Sequence, residues 1–129
     1  MSLIAIFTFG MAHAQDVADT SVPNNGAQIS FTTLEHNYGT VRKGGDGTCS
    51  FEFINEGNEP LILSSVRTTC GCTTSQWTKA PIMPGQKGTI KVRYDTNRVG
   101  AFVKMITVNS NAVNKASTVL KIRGKVEKP

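Results

Sequence analysis

The sequence predicts an all-β protein, built as an immunoglobulin-like antiparallel β-sandwich of about seven short strands. From Ala27 onward apolar and polar residues mostly alternate, which is the period of a strand with one buried face. No window sustains the i, i+3, i+4, i+7 spacing of a helix. Turns rich in Gly, Pro and Asn separate the apolar runs at intervals of roughly 8 to 12 residues, as in two-sheet sandwiches. A small closed β-barrel is the main alternative, because alternation alone does not distinguish the two.

In the first half of the chain, short apolar stretches predict the strands, and a polar stretch between two of them predicts a turn. In "AQISFTT", Ile29 and Phe31 lie on one face. In "TCSFEFIN", Cys49, Phe51 and Phe53 share a face, which predicts that Cys49 points toward the core. The stretch "NEGNEP" follows as a turn in which Gly57 can supply a positive φ, and "LILSSV" is the next short strand.

The second half continues the pattern after the stretch "TTCGCTT". Pro84-Gly85 is the usual central pair of a type II turn, and it precedes the alternating strand "TIKVRYD". The run "AFVKMITVNS" is apolar on both phases, as in a central or bulged strand. In "TVLKIRGKV", Leu120, Ile122 and Val126 face inward. The composition, 39% hydrophobic and 18% charged over 129 residues, is that of one globular domain.

The first fourteen residues have the features of a signal peptide. An apolar run is followed by Ala12-His13-Ala14, a small-residue cleavage pattern, and the run is too short to span a bilayer. The basic residues that usually begin such a segment are missing, and a buried helix of the domain is the alternative. We expect a signal peptide over residues 1–14, a flexible lead-in over 15–26 and the sandwich over 27–129. The protein is then exported, to the periplasm, the cell surface or the medium, and has no transmembrane segment.

Five stretches carry a resemblance to a known family. In order from Glu35 to Ala112 these are "EHNYGTV", "FEFINEGNEPLIL", "TTCGCTT", "APIMPGQKGTIKVRYD" and "GAFVKMITVNSNA". They resemble the 1573 family of domains of unknown function, bacterial exported proteins with an immunoglobulin-like sandwich related to the pilus-chaperone and flagella-associated folds. The resemblance implies export, a sandwich and no established activity. Cys70-Gly71-Cys72 falls on the family's CGC position, whereas Cys49 is a local addition.

The three cysteines leave three hypotheses open. In an extended strand the Cα atoms of Cys70 and Cys72 lie about 6.6 Å apart, near the upper limit for a disulfide, and a turn at Gly71 shortens this distance. Their bridge closes a small, reducible ring; Cys49 bonded to either closes a loop of about 21 to 23 residues, worth about 3 kcal/mol. A structural disulfide, reduced thiols packed as apolar groups, and redox or metal chemistry all fit these residues.

Few residues suit catalysis or metal binding. A structural zinc site needs four ligands, and the chain offers only CxC, one distant Cys and His36 besides the His13 of the leader. Two thiolates at Cys70 and Cys72 suit Cu(I), but CxC alone is a weak signal. No nucleophile elbow or phosphate-binding loop is present. We therefore expect no enzyme activity, no cofactor and no resident metal.

The net charge is +5, and the basic residues concentrate late in the chain. Placed outward on adjacent strands they make a positive stripe, or they block unwanted sheet pairing as solvated lysines do. Nucleic acid is disfavoured as a partner because the protein is expected to be exported and no exposed aromatic residues are expected between the basic ones. Those basic residues are Lys91, Arg93, Arg98, Lys104, Lys121, Arg123 and Lys125.

The function predicted from the sequence is a non-enzymatic exported interaction module that binds another envelope or extracellular protein. Cys70, Cys72 and Trp77 are the candidate binding residues, and Trp77 otherwise covers an edge of the core. The alternative function is a thiol redox or Cu(I)-handling protein that uses Cys70 and Cys72.

Overall fold

The computed structural model describes residues 25–129 and folds them into β-strands without a helix. This confirms the all-β prediction. The predicted signal peptide and residues 15–24 of the lead-in lie outside the described residues. None of the described residues forms a helix long and apolar enough to cross a bilayer. The strands are β1 (Ile29–Phe31), β2 (Glu35–Arg42), β3 (Thr48–Asn55), β4 (Leu63–Thr68), β5 (Thr73–Trp77), β6 (Lys87–Tyr94), β7 (Gly100–Ser110) and β8 (Ser117–Glu127).

The strands form two four-stranded sheets. Sheet I has the order β1-β3-β6-β5 and sheet II the order β2-β8-β7-β4. All neighbours are antiparallel except β2 and β8, which run parallel. Sheet I corresponds to the ABED sheet of an immunoglobulin domain, and β8, β7 and β4 to its GFC sheet. The eighth strand arises because β1 and β2, at the start of the domain, join different sheets.

The strand β2 departs from the alternation that predicted the others. Its register with β8 shifts between Asn37 and Thr40, where Gly39 adopts a positive φ of 68°. The shift breaks the period of two, so apolar side chains fall at uneven intervals. Tyr38 nevertheless anchors the strand, since its ring lies 5.7 Å from that of Phe102 and its hydroxyl donates to the Gly47 carbonyl at 2.6 Å.

The core lies between the sheets and is formed by the inward residues of every long strand. The rings of Tyr94 and Phe102 stack across it at 3.7 Å between centroids. Cys49 is half-buried on the same side of β3 as Phe51, as predicted. The largest fully buried apolar side chains are Phe51, Phe53, Leu61, Ile90, Val92, Ile106, Val108, Leu120, Ile122 and Val126.

Two of the predicted turns illustrate different uses of glycine. Gly85 has φ of 82°, and Gln86 N–H donates to the Met83 carbonyl at 2.9 Å, which confirms the turn at Pro84-Gly85. The positive φ expected at Gly57 is wrong, since Gly57 is not among the glycines with positive φ. A Cβ there would lie 2.1 Å from the Gly26 carbonyl oxygen, so close approach of backbone requires this glycine.

Candidate functional site

A sandwich with open sheets has four edge strands, and an uncovered edge is a template for pairing with another chain. Here the edges are β1 and β5 in sheet I, and β2 and β4 in sheet II. The described part of the chain closes or distorts three of them. Whether an edge can accept another strand depends on the direction of its backbone N–H and C=O groups.

Both edges of sheet II are interrupted by irregular pairing. The β2 ladder shifts register between Asn37 and Thr40, and the β4 ladder shifts between Leu63 and Ser65. A bulge twists the strand and breaks the even spacing of its outward hydrogen-bonding groups. Bulges of this kind are one way in which proteins prevent edge-to-edge pairing.

At the β1 edge of sheet I, the side chain of Asn114 covers the outward backbone groups of Ile29. Thr32 N–H donates to Glu52 C=O and Glu56 N–H to Gln28 C=O, so the alternation of an antiparallel ladder turns the groups of Ile29 outward. The Asn114 amide meets both of them. Its Oδ1 accepts from Ile29 N–H at 3.0 Å, and its Nδ2 donates to Ile29 C=O at 2.9 Å. The side-chain amide therefore takes the place of a neighbouring peptide group.

The β5 edge is regular and open from Ser75 onward. Asp95 N–H donates to Cys72 C=O at 2.8 Å and Thr78 N–H to Thr89 C=O at 3.4 Å, which marks the hydrogen-bonded pairs with β6. By alternation Thr74 and Gln76 also bond to β6, and the N–H and C=O of Ser75 and Trp77 point away from the sheet. No described strand lies on that side of β5.

The first residue of β5 is covered by the preceding turn. Thr73 N–H donates to Cys70 C=O at 3.4 Å, and Thr73 C=O accepts from the Thr68 hydroxyl at 3.1 Å. The open segment thus begins after the CGC turn and extends to Trp77. Trp77 is half-buried against the core, with the Lys79 ammonium 4.8 Å from its ring centroid.

The structure brings two of the three cysteines together. Cys70 and Cys72 form a disulfide across the exposed Gly71, with their Cα atoms 5.3 Å apart. Cys72 is buried and Cys70 half-buried, so Cys70 is the more accessible sulfur. Cys49 is a free thiol. Which pairing forms in solution stays a prediction, and Trp77 lies at the far end of β5 from this turn.

The Cys49 thiol is a poor nucleophile in this environment. Burial raises its pKa, and a hydrogen bond with Tyr38 offsets this only in part. Burial also raises the pKa of the Tyr38 hydroxyl. Both groups are therefore neutral near pH 7. Within residues 25–129 no three His, Cys, Asp or Glu side chains cluster as metal ligands.

The late basic residues divide between the two outer faces and do not form one stripe. On sheet II, Arg123 pairs with Glu35 and Lys125 with Glu127. On sheet I, Lys91 and Arg93 point outward from β6, and neither takes part in any ion pair formed among the described residues. They line a shallow depression of about 300 Å³ together with Thr48, Thr74, Ser75 and Gln76.

The sequence does not identify which strand forms the open edge. The Thr-rich stretch after Cys72 is strand-like, but nothing in it indicates whether an edge is covered. The sequence indicates Cys70 and Trp77 as separate candidates, whereas the structure places the open Ser75 on β5, between the CGC turn and Trp77. The outward register follows only from pairing with β6.

Solved structures with similar folds share little sequence with this chain. A protein of unknown function from Porphyromonas gingivalis W83 matches with a TM-score of 0.70 and 16% identity, over 95% of this chain and 54% of that one. The chain thus spans about half the length of that protein. The PapD-like domain 7 of human CEP192 matches with a TM-score of 0.70 and 8% identity, over 92% and 98% of the two chains.

A third match is the CsuC–CsuE chaperone–tip adhesion subunit pre-assembly complex from the archaic chaperone-usher Csu pili of Acinetobacter baumannii. Its TM-score is 0.59, with 8% identity, over 78% of this chain and 58% of that one. At these identities the likeness establishes the PapD-like, immunoglobulin-like fold alone. No curated protein matches the chain significantly.

The family comparison covers most of the described domain. The family model described as "Protein of unknown function (DUF1573)" matches residues 29–126, which run from the first strand to the last. This range contains the CGC turn, the open edge and the basic depression. The resemblance inferred from the sequence motifs is confirmed, and the chain belongs to the DUF1573 family.

Proposed function

We propose that this protein is an exported, non-enzymatic binding module whose β5 edge accepts an extended segment of a partner protein. One observation carries the proposal. Among the four edges of the described sheets, only β5 has no register shift and, from Ser75 onward, no capping side chain, and the backbone groups of Ser75 and Trp77 point outward. Strand addition at a sheet edge is a recurring mode of peptide recognition.

The energetics of such an edge favour a weak, reversible complex. An antiparallel partner strand forms paired hydrogen bonds with Ser75 and with Trp77, and each net bond contributes about 1 kcal/mol. These bonds alone do not offset the entropy lost on association. Partner side chains packing beside Trp77 supply the remaining affinity, since aromatic side chains bury large area at low entropic cost.

Export is part of the proposal and has two supports. A Cys70–Cys72 disulfide persists in oxidising compartments such as the periplasm. The fold is similar to that of a chaperone complex from pili and to the YadV chaperone, at TM-scores of 0.59 and 0.57. Expression of the full chain followed by cell fractionation tests this location, and cytoplasmic retention of the uncleaved chain contradicts it.

Site-specific photocrosslinking in the producing cell tests the binding surface. A photoreactive residue replaces Gln76, whose exposed side chain adjoins the open edge, or Val119, which is 54% exposed on sheet II, as the control position. We expect discrete crosslinked polypeptides from position 76 and not from 119. Adding Ser75→Pro, which removes the outward N–H, is expected to abolish them. Identical crosslinks from both positions, or crosslinks that persist with Ser75→Pro, contradict the proposal.

The disulfide supports thiol exchange as a second candidate function. A thiolate of a substrate protein attacks the more accessible Cys70 sulfur and releases Cys72 as the leaving thiolate. A second substrate thiol then displaces Cys70, so the substrate gains a disulfide while Cys70 and Cys72 become thiols. In the reduced state the same pair is available to Cu(I).

Oxidation of a reduced model protein by the purified disulfide form measures this activity. The Cys70→Ser, Cys72→Ser variant is the test, and Cys49→Ser is its control. Transfer that requires Cys70 and Cys72 but not Cys49 supports the second function. Equal oxidation rates in all forms contradict thiol exchange by Cys70 and Cys72. An equal Cu(I) stoichiometry in all forms contradicts Cu(I) binding by this pair.

A further inference from the structure

We propose that the segment bound at the β5 edge alternates apolar residues with glutamates, and that the glutamates lie over Lys91 and Arg93 on the outer face of sheet I. The inference rests on the proposed strand addition and adds the chemistry of the partner. It follows from the register of β5, from the charges left unpaired on that face, and from the shape of the surface beside the edge.

The register assigns each partner residue to a face. Cross-strand pairs place their side chains on the same side of a sheet. Partner residues opposite Ser75 and Trp77 therefore face inward, beside the half-buried Trp77 ring. Residues opposite Thr74 and Gln76 face outward, in the rows that contain Arg93 and Lys91, because Thr74 pairs with Arg93 and Gln76 with Lys91.

On the outer face of sheet I, Lys91 and Arg93 have no carboxylates directly opposite them. Lys91 lies between Ser50 on β3 and Gln76 on β5. Arg93 lies between Thr48 and Thr74 in the same way. Of the other late basic residues, Arg98, Arg123 and Lys125 each have an acidic partner among the described residues, whereas Lys104 and Lys121 on sheet II do not.

Three acidic residues lie close to this face, which stays net positive because one of them, Asp95, pairs with the additional cation Arg98. The Asp46 carboxylate is bound by the Thr48 hydroxyl and N–H, and its pKa is lowered chiefly by those hydrogen bonds, with smaller contributions from Arg93 and Lys91. Glu52 sits one row away, opposite Thr89. The third cation of β6, Lys87, is opposite Ile54.

The distance between an added partner strand and β6 favours glutamate as the acidic residue of the partner. A strand added to β5 lies two strand spacings, about 10 Å, from β6. The short side chain of Thr74 leaves the depression open on the outer face, and Ser75 lines both the depression and the edge. A glutamate and a lysine or arginine extended toward each other span this gap. The depression thus continues the strand-binding edge, which favours a polypeptide over a detached glycan or lipid headgroup.

Three synthetic heptapeptides with the same alternating valines test the inference, with Glu, Gln or Lys at the other positions. The chain has one tryptophan, Trp77, so its fluorescence reports binding at the edge. We expect the Glu peptide to bind about tenfold more tightly than the Lys peptide at low salt, because each exposed ion pair contributes a factor of a few. Added salt narrows the difference. Lys91→Glu with Arg93→Glu is expected to reverse the preference.

The outcomes separate the inference from the function on which it rests. If all three peptides bind equally and Ser75→Pro abolishes binding, strand addition stands and the acidic partner is overturned. If the Glu peptide binds Ser75→Pro as well as the unaltered protein, both are overturned. A sulfated glycan fragment that binds both forms alike and displaces the Glu peptide identifies a general polyanion surface, which also overturns the inference.

Discussion

The two edges of sheet I, β1 and β5, end the same sheet in opposite ways. At β1 the outward groups of Ile29 are bonded to the Asn114 amide, and Asn55 and Asn58 hold the preceding residues Gln28 and Gly26. At β5 the outward groups of Ser75 and Trp77 meet no described strand. One edge is closed by side chains from loops, and the other is left available.

The difference teaches that an edge is closed by its surroundings and not by its own residues. Both strands are short and carry an aromatic residue, Phe31 or Trp77, at their ends. A side-chain amide presents the same donor and acceptor as a peptide, so one asparagine closes what a whole strand otherwise covers.

Asn55→Ala is expected to have the largest effect. The fully buried Asn55 amide donates to the carbonyls of Glu59 and Ile82 and accepts from the N–H groups of Gln28 and Gly57. Its removal takes a partner from the buried Ile82 carbonyl and from three half-buried backbone groups, and we expect a loss of about 3 to 4 kcal/mol in the free energy of unfolding. Denaturant unfolding followed by Trp77 fluorescence measures it.

Asn58→Ala is the control for this variant, since the exposed Asn58 accepts one bond from Gly26 N–H. We expect it to cost less than about 1 kcal/mol. Equal losses for the two variants contradict the view that Asn55 is the central fastener of this end of the sandwich.

Proline is expected to destabilise the protein much more at one position of β5 than at the adjacent one. Gln76→Pro removes an N–H that bonds to β6, and we expect it to cost about 2 to 3 kcal/mol. Ser75→Pro removes an outward N–H and is expected to change stability by less than about 1 kcal/mol. Thermal or denaturant unfolding compares the two. Similar losses at both positions imply that the register of β5 with β6 differs from the one described.

Asn114→Ala opens the β1 edge. Two hydrogen bonds to Ile29 are lost while its backbone groups become accessible to water, so we expect a cost of about 1 to 2 kcal/mol. A second open edge also favours self-association, which light scattering detects as a concentration-dependent increase in mass. Asn111→Ala, which releases Ile62 N–H and Pro60 C=O away from either edge of sheet I, is the control and is expected to stay at the mass of the unaltered protein.

Cys49 on β3 belongs to neither edge and gives the smallest effect. Burial raises its thiol pKa above the value of about 8.5 of an unfolded chain. The folded state therefore holds the proton more tightly, and this contribution to stability is complete below about pH 8.5 and is lost as the pH rises through the folded-state pKa. Unfolding midpoints between pH 7 and 9.5 are expected to fall less steeply for Cys49→Ala. If the unfolding midpoints of the two proteins fall equally steeply with pH, the pKa of the Cys49 thiol is not raised in the folded state.

The sequence predicts the sheets well where one face is buried and poorly where closure depends on distant contacts. Alternation identifies β3, β6 and β8, whose inward residues fill the core. It misses β2, because the bulge at Gly39 breaks the period, and it does not indicate that β1 and β2 lie in different sheets. Asn114 closes β1 from 85 residues away, which no local pattern records. The CGC stretch is evident in the sequence, but the sequence does not determine which of the three cysteines form a disulfide.

Residue-resolved amide hydrogen exchange on the free protein tests the open β5 edge most directly. The account predicts rapid exchange at Ser75 and Trp77, slow exchange at Thr74 and Gln76 between and beside them, and slow exchange at Ile29 on the closed edge. Slow exchange at all four β5 amides would mean that the edge is already covered, and would contradict strand addition there.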